Sequence, residues 1–299
     1  MTGRIGDAVQ SSRIASLLQE TQARVRTAQT AVATGDAVSR FVEMPATSAL
    51  LLHARSERAA AAGFVDDNGV TGDRLHAMDS AVGAIGAVAE RLRALLVNRL
   101  DDSTGGSVPL DAEVDAALET IQGQLNLRLD GRYLFAGSRT DIAPVALPDP
   151  VPTTADASLY YQGDAVAPTA RIGDGDSLDY GTTAADPAFA GLVGALGQAR
   201  EAHLAGDRAG LESALAGLGE AVDALAQLRG AMGAQAARLE TATEQHRSSI
   251  LYLEETVSRL VDTDMATALT QIAEDSARLE ATYTTVGRLG QLSLADYLR

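Results

Sequence analysis

Apolar residues recur three and four positions apart near the N-terminus of this 299-residue chain. A first stripe comprises Ile14, Leu18, Thr21, Val25, Ala28 and Val32. A second comprises Leu75, Met78, Val82, Ile85, Ala89, Leu92 and Leu96. Positions spaced in this way lie on one narrow face of a helix, as in the seam of a coiled coil. The sequence therefore predicts long helices that pack side by side.

The C-terminal third repeats the pattern. Apolar or packable residues recur every seven positions at Leu225, Met232, Leu239, His246, Leu253 and Leu260. Further on they alternate at three and four, at Leu269, Ile272, Ser276, Leu279, Tyr283 and Val286. Proline interrupts helix interiors, and none follows Pro187. This part of the chain is therefore predicted to be helical, with one long helix covering at least residues 210–261.

The middle of the chain has a different pattern. Five of the eight prolines lie between Pro144 and Pro168, so a long helix is excluded there. Asp174-Gly175 is a hairpin signal between two short strand-like runs, and "LYYQGD" (159–164) is predicted to be another strand. Aromatic residues concentrate in the same region, at Tyr133, Phe135, Tyr160, Tyr161, Tyr180 and Phe189. These features predict a small β-rich module with a core of its own.

The segment "LDGRYLFAGSRTD" (129–141) marks the change from one pattern to the other. A helix over residues 111–129 is predicted to begin with Asp111 as its cap and to stop at Gly131, because glycine accommodates the left-handed backbone that closes a helix. The chain then continues as a strand into the module. The predicted joint consists of Gly131, Arg132, Tyr133, Phe135 and Gly137.

The predicted fold class is mainly α: an elongated antiparallel coiled-coil rod, built from the N- and C-terminal segments, with a small inserted β-rich module. Five segments are predicted. They are an N-terminal assembly helix (1–40), the N-terminal part of the rod (41–132), the β-rich module (133–186), the C-terminal part of the rod (187–261) and a C-terminal assembly helix (262–299).

Composition excludes several classes of function. The net charge is −16 and every basic residue is an arginine, without any basic cluster, so nucleic acid is not expected as a partner. The absence of cysteine excludes disulfides and thiolate chemistry. No apolar run is long enough to cross a membrane, so membrane insertion is not expected. The first residues lack the apolar core of a cleaved signal peptide.

Candidate chemistry is sparse. The four histidines are dispersed, and His246 falls on a seam where a packed side chain is the favoured interpretation. Asp174, Asp176 and Asp179 could in principle bind calcium, but they lack the spacing of an EF-hand, and Asp and Gly also favour tight turns. We therefore predict no catalytic, cofactor or metal site and no enzymatic activity.

The terminal seams favour an assembly surface instead. Helices with an apolar stripe gain stability when they pack against neighbours. Leucines near the C-terminus would contact a partner or, with equal support from the residues alone, fold back onto the chain. The residues predicted to contact partners are Ile14, Leu18, Val25, Val32, Leu269, Ile272, Leu279, Tyr283, Val286, Leu292, Leu294 and Leu298.

Three segments resemble one known family. They are "LNLRLDGRYLFAGSRTD" (125–141), "YYQGD" followed by "RIGDGDSL" (160–178), and the C-terminal 261–299 with its Asp264-Met265 pair. They are similar to the bacterial flagellin superfamily, and most of all to its hook–filament junction subunits. The N-terminal 27–41 is similar more loosely, and "VEMPATSALLL" (42–52) lacks the family's usual Asp pair.

The resemblance implies a structural subunit of the extracellular flagellum. Such a subunit is exported without a cleaved signal peptide and polymerises by coiled-coil packing of its termini, which fold on assembly. Its implied partners are copies of itself in a ring or tube, a neighbouring hook-associated protein, flagellin and an export chaperone. No cofactor is implied. Two alternatives stay open: the bulk filament flagellin, and a cytoplasmic coiled-coil scaffold protein.

Overall fold

The computed structural model describes residues 2–34, 45–101 and 109–297. The chain divides into two compact units. The first, the terminal unit, comprises Met1–Ala60 and Ser248–Arg299, and the second, the central unit, comprises Ala61–Arg247.

The helices and strands of the described residues follow a simple order. The α-helices are α1 (Thr2–Thr34), α2 (Pro45–Leu100), α3 (Leu110–Leu125), α4 (Pro187–Ala205) and α5 (Arg208–Tyr297). The strands are β1 (Arg128–Leu129), β2 (Arg132–Tyr133), β3 (Thr169–Gly173) and β4 (Asp176–Asp179), paired antiparallel as β1–β2 and β3–β4. The predicted fold class, mainly α with a small β-rich insertion, is confirmed.

The core of the central unit lies where the seams were predicted. On α2 the stripe from Leu75 to Leu96 is buried throughout, with no member more than 2% exposed. It packs with apolar residues of α3 and α4 and with Leu225 and Met232 of α5 in one continuous core. Seven-residue spacing therefore identified the buried faces of α2 and α5 correctly.

The predicted separate core of the β-rich module is wrong. Phe135 and Tyr160 are fully buried in the same core as the helices, and Phe189 lies on α4 and not on a strand. A smaller cluster joins Ile172, Leu178 and Tyr180, but helix α5 contributes Leu239 to it. Two-stranded hairpins have too little surface to enclose large aromatic side chains, so these pack against the neighbouring helices.

The predicted boundaries of helix 111–129 are also wrong. Helix α3 begins at Leu110 after Pro109, without a capping side chain, and ends at Leu125. It stops there because the side-chain amide of Asn126 donates to the carbonyl of Val145 and accepts from its N–H, both at 2.9 Å. Gly131 follows Asp130 in the turn of the β1–β2 hairpin, and both have positive φ (77° and 51°), which is the usual geometry of a two-residue hairpin turn.

The other predictions for the middle of the chain have mixed outcomes. The hairpin at Asp174-Gly175 is confirmed, because it joins β3 to β4 and Gly175 has a φ of 73°. The strand predicted over 159–164 is wrong: a 3-10 helix, Ala157–Leu159, precedes a single bridge between Val145 and Tyr161. The long helix predicted over at least residues 210–261 is confirmed by α5, and Gly206 ends α4 in a left-handed conformation before α5 begins.

Candidate assembly surface

The terminal unit pairs α1 with the C-terminal part of α5. Every predicted seam residue of α1, Ile14, Leu18, Val25 and Val32, is half-buried. Ile272 and Leu279 of α5 are half-buried as well. The structure brings three of the predicted residues together around a cavity of about 100 Å³, which is lined by Ile14, Leu17, Leu18, Thr21, Leu279 and Thr282.

Other predicted residues of α5 face solvent in the single chain. Leu269 is 53% exposed, Tyr283 51% and Val286 39%. The Tyr283 hydroxyl accepts a hydrogen bond from the Gln22 side chain, so it marks the edge of the helix pair. Leu292 and Leu294 lie on α5, where their side chains are outside the described residues, and so is the whole of Leu298.

Sequence reasoning missed the most buried polar group of this helix pair. Asp275 is 1% exposed, between Ile272 and Leu279 on the face of α5 that contacts α1. Its Oδ2 lies 3.7 Å from Arg24 Nε, and its Oδ1 accepts from Arg278 at 3.4 Å. A buried charge that needs one partner fixes the register of paired helices. Asp275 lies three residues after Ile272 and four before Leu279, and this spacing alone indicated that it shares their helix face.

Packing in the terminal unit is incomplete compared with the central unit. Where α1 side chains are described, none of the apolar ones is buried, whereas the α2 seam of the central unit is almost fully enclosed. The large apolar side chains exposed in the terminal unit are Leu17, Leu50, Leu52, Leu251, Tyr252, Leu269, Tyr283 and Val286. We call this set the exposed apolar set. Where exposed apolar side chains form a contiguous patch, they are typical of sites that contact other proteins.

The predicted joint contains a hairpin, a phenylalanine buried in the core and a glycine that lies close to Asp164. Phe135 is fully buried and packs edge-on against Phe189, with ring centroids 6.0 Å apart. Arg128 lies 4.9 Å above the ring of Tyr133, and Arg132 is exposed. Gly137 has a φ of 71°, and a Cβ there would lie 2.3 Å from the Asp164 carboxylate. The joint therefore has defined structural roles at Gly131, Phe135 and Gly137.

Asp164 holds the end of the joint in place. Its carboxylate accepts hydrogen bonds from the backbone N–H and hydroxyl of Ser138 and from the N–H of Val166. These bonds stabilise the ionised form and lower the pKa of Asp164 below its usual value. The Tyr161 hydroxyl donates to the backbone carbonyl of Asp164 at 2.6 Å, and burial raises the pKa of that tyrosine.

Asp174, Asp176 and Asp179 of hairpin β3–β4 each have a partner within the protein. Asp174 pairs with Arg171, Asp176 with Arg238, and Asp179 accepts from the hydroxyl of Thr169. In the described ranges no group of three or more His, Cys, Asp or Glu side chains is placed to hold a metal ion. The same ranges contain no helix that is both long and apolar enough to cross a membrane.

His246 has a packed position. Its Nε2 donates to the backbone carbonyl of Ile172 at 2.8 Å, and its ring stacks on Phe64 with centroids 4.9 Å apart. The Phe64 ring has a second contact, with the guanidinium of Arg171, which lies 5.4 Å from the ring centroid. These contacts attach hairpin β3–β4 to helices α2 and α5.

The N- and C-terminal helices pair with each other, and a segment with two short hairpins separates them along the chain. This arrangement defines a class of mainly helical proteins. Residues 5–140 match the family model of the bacterial flagellin N-terminal helical region, and residues 215–298 match that of the C-terminal helical region. Together the two matches cover most of the chain, which therefore belongs to the bacterial flagellin family. Among curated proteins, no sequence match reaches significance.

Two solved structures share this fold. One is a protein assigned as a flagellar hook-associated protein from Vibrio parahaemolyticus, with a TM-score of 0.62 and 15% identity, over 73% of this chain and 99% of that one. The other is FlgL from Bacillus cereus, with a TM-score of 0.56 and 17% identity, over 69% of this chain and 97% of that one. At these identities the likeness concerns the fold.

Proposed function

We propose that this protein is a non-enzymatic structural subunit of the bacterial flagellum that joins the hook to the filament. Membership of the flagellin family supports the flagellar role. The fold shared with a hook-associated protein and with FlgL favours the junction over the bulk filament. The proposal rests on one observation: the paired helices of the terminal unit leave apolar side chains exposed.

Polymerisation would complete the packing of the terminal unit. Burying a large apolar side chain contributes roughly 1.5–3 kcal/mol, so a neighbour that covers several members of the exposed apolar set gains a substantial driving force. The contact residues proposed from the sequence are part of this mechanism. Leu269, Tyr283 and Val286 are exposed for a neighbour to cover, and Leu292, Leu294 and Leu298 are proposed as further contacts from the sequence alone.

The partners proposed for this mechanism follow from the flagellar role. They are copies of the same chain in a ring or tube, a neighbouring hook-associated protein on one side and flagellin on the other. An export chaperone would cover the terminal helices before assembly. The proposed location is the extracellular flagellum, reached by type III export without a cleaved signal peptide.

Filament flagellin is the second candidate, because the two matching family models describe flagellin itself. The two roles differ in number of copies. A junction ring needs few subunits, whereas a filament needs a very large number. They also differ in what happens to flagellin when the protein is missing.

Deletion of the gene in its host, followed by electron microscopy of negatively stained cells, separates these roles. The junction role predicts hooks without filaments, with flagellin shed into the medium. Hooks without filaments and without flagellin in the medium would identify the filament subunit. Unchanged filaments would overturn both roles. A plasmid copy of the gene is the control, and it should restore filaments.

A further inference from the structure

A second cavity lies within the central unit, beside the joint. It has a volume of about 370 Å³ and lies between helix α2, strand β2 and the segments on either side of hairpin β3–β4. Two arginines, Arg74 of α2 and Arg132 of β2, belong to its lining, and no Asp or Glu does. In a chain with a net charge of −16, this lining is a local concentration of positive charge.

Arg74 and Arg132 differ from several other arginines of the central unit, which form ion pairs with aspartates. Among the described residues, no carboxylate pairs with Arg74 or Arg132, whereas Arg171, Arg229 and Arg238 each pair with an aspartate. Arg74 Nε is buried without a hydrogen-bond partner from the described residues. A buried donor left unpaired costs about 1–3 kcal/mol, and arginine keeps its charge at any physiological pH. The lining therefore carries positive charge that no carboxylate among the described residues compensates, which favours an anion in the cavity.

Two carboxylates, those of Asp164 and Asp179, bond to residues that line the cavity. Asp164 accepts from Ser138 and Val166, and Asp179 accepts from Thr169 at 2.7 Å. These bonds stay within the backbone and hydroxyl groups of the cavity wall. Both carboxylates keep their charge, but among the described residues neither forms an ion pair with Arg74 or Arg132.

The remaining lining indicates an organic ligand. Met78, Leu134, Val166 and Pro168 give apolar surface, and the rings of Tyr133 and Tyr180 give flat faces. Hydroxyl groups come from the same two tyrosines and Thr140. The volume falls in the range of small-molecule sites, about 300–1,000 Å³. Guanidinium groups bind carboxylates through paired N–H bonds.

We propose that this cavity binds a small hydroxylated carboxylic acid of the sugar-acid class. Arg74 and Arg132 hold the carboxylate, the hydroxyl groups of Thr140 and the tyrosines bond to the ligand's hydroxyls, and the aromatic rings contact its carbon face. The site is independent of the assembly surface, because all of its lining residues belong to the central unit.

Isothermal titration calorimetry on the full chain at low ionic strength tests the proposal, with glucuronate as the probe. Glucose and inorganic phosphate serve as comparisons. We expect saturable binding of glucuronate and at least tenfold weaker binding of both comparisons. Glucose lacks the charge, and phosphate lacks the carbon body. Absence of glucuronate binding, or phosphate binding of equal strength, would overturn the proposal.

Two variants distinguish a ligand-binding role from a structural one. Arg132→Gln should weaken glucuronate binding about tenfold, the effect of losing one hydrogen bond to a charged group. Arg74→Met should abolish binding and yet leave the ligand-free chain at least as stable to heat, because it removes the unpaired buried donor. A large loss of thermal stability in Arg74→Met would show a structural role and contradict the proposal.

The matched control is Arg247→Gln. Arg247 is an exposed arginine of the central unit, and among the described residues its ion pair lies along its own helix, with Glu244 at 3.6 Å. Its replacement should leave glucuronate binding unchanged. An equal loss of binding in Arg247→Gln would show that glucuronate responds only to the net charge of the chain, and would contradict the proposal.

A carboxylate of a second copy of the chain is the alternative occupant of the cavity. If Arg132→Gln alters self-association in sedimentation but not glucuronate binding, the small-ligand site is wrong.

Discussion

Gly137 shows how much of the joint depends on one missing Cβ. The residue has a φ of 71°, and an added Cβ would meet both the carboxylate and the backbone carbonyl of Asp164 within 2.5 Å. Gly175 has a similar φ of 73° but open space around the same position. The pair therefore separates the cost of backbone strain from the cost of steric overlap.

We expect Gly137→Ala to lower the free energy of unfolding of the central unit by about 3 kcal/mol and Gly175→Ala by about 1 kcal/mol. The smaller value is the usual penalty for a non-glycine residue at positive φ, and the difference reflects displacement of Asp164. Urea unfolding followed by circular dichroism measures both. Equal losses in the two variants would show that Asp164 moves away at no cost.

Asp79 and Arg229 form a paired contact between α2 and α5. Arg229 donates to both carboxylate oxygens of Asp79, at 2.9 and 3.0 Å. The hydrogen bonds from Arg229 hold the pKa of Asp79 below its usual value, against a smaller opposite effect of burial. A carboxylate with a lowered pKa in the folded state adds stability above its unfolded pKa, and this stability is lost as the pH falls.

Asp79→Asn should therefore destabilise the chain at pH 7 and matter progressively less at lower pH. Both side chains are partly exposed, so solvent screening limits the effect to about 0.5–1 kcal/mol. The difference between wild type and variant should shrink as the pH falls from about 5 to 3, where an unfolded aspartate takes up a proton. Urea unfolding across this range checks the slope. Glu90→Gln, in a local pair with Arg93, is the control and should show little change.

Residues with regular spacing could be predicted from sequence, and residues with long-range partners could not. The buried stripe of α2 followed from its spacing, since period alone determines which face of a helix is apolar. Asn126 ends α3 through bonds to Val145, nineteen positions away, and no local pattern signals that partner. The predicted seam passed through Ser276, which is exposed, whereas its neighbour Asp275 is buried against α1.

At the scale of elements, we expect Asp275 to determine how α1 and α5 align. Its contact with Arg278 lies within α5 and persists in any register, whereas its contact with Arg24 of α1 is made in the observed register. The chain contains no cysteine, so introduced cysteines can report the register without interference. Gln22 and Tyr283 contact each other in the observed register and are suitable sites.

We expect a chain with Gln22→Cys and Tyr283→Cys to be joined efficiently by a short bismaleimide reagent. Gln22→Cys with Ser276→Cys, one heptad away, should react poorly. Adding Asp275→Leu should reduce the first yield and raise the second, because the constraint on the register is removed. Mass spectrometry of the digested product measures both yields. Unchanged yields after Asp275→Leu would show that Asp275 does not set the register.

Element boundaries in the middle of the chain were harder to predict than the seams. The hairpin at Asp174-Gly175 followed from a local turn signal, because two residues suffice to specify such a turn. The strand expected over 159–164 failed, since Tyr160 is held by the helical core and its hydroxyl donates to the carbonyl of Ala184. Aromatic residues indicated burial correctly but not the partner of that burial.

At the scale of the whole molecule, the two units differ in how fully their seams are covered. The central unit encloses its apolar stripe, whereas the terminal unit leaves the exposed apolar set in contact with solvent. The sequence predicted assembly residues in both terminal segments, and the structure separates them into residues used within the chain and residues left exposed. This division gives the assembly proposal a specific test.

Incorporation of two glutamate variants into flagella tests the central claim most directly. Leu269 of the terminal unit is 53% exposed, and Leu204 of the central unit is 70% exposed, so neither substitution disturbs a buried contact. Each variant is expressed in the deletion strain, and filaments per cell are counted by electron microscopy.

We expect Leu269→Glu to be exported but to give few or no filaments, because a buried charge at a subunit contact is strongly unfavourable. Leu204→Glu should restore filaments to the wild-type number. Full restoration by Leu269→Glu would contradict the claim that the exposed apolar set of the terminal unit forms the contacts that build the flagellum.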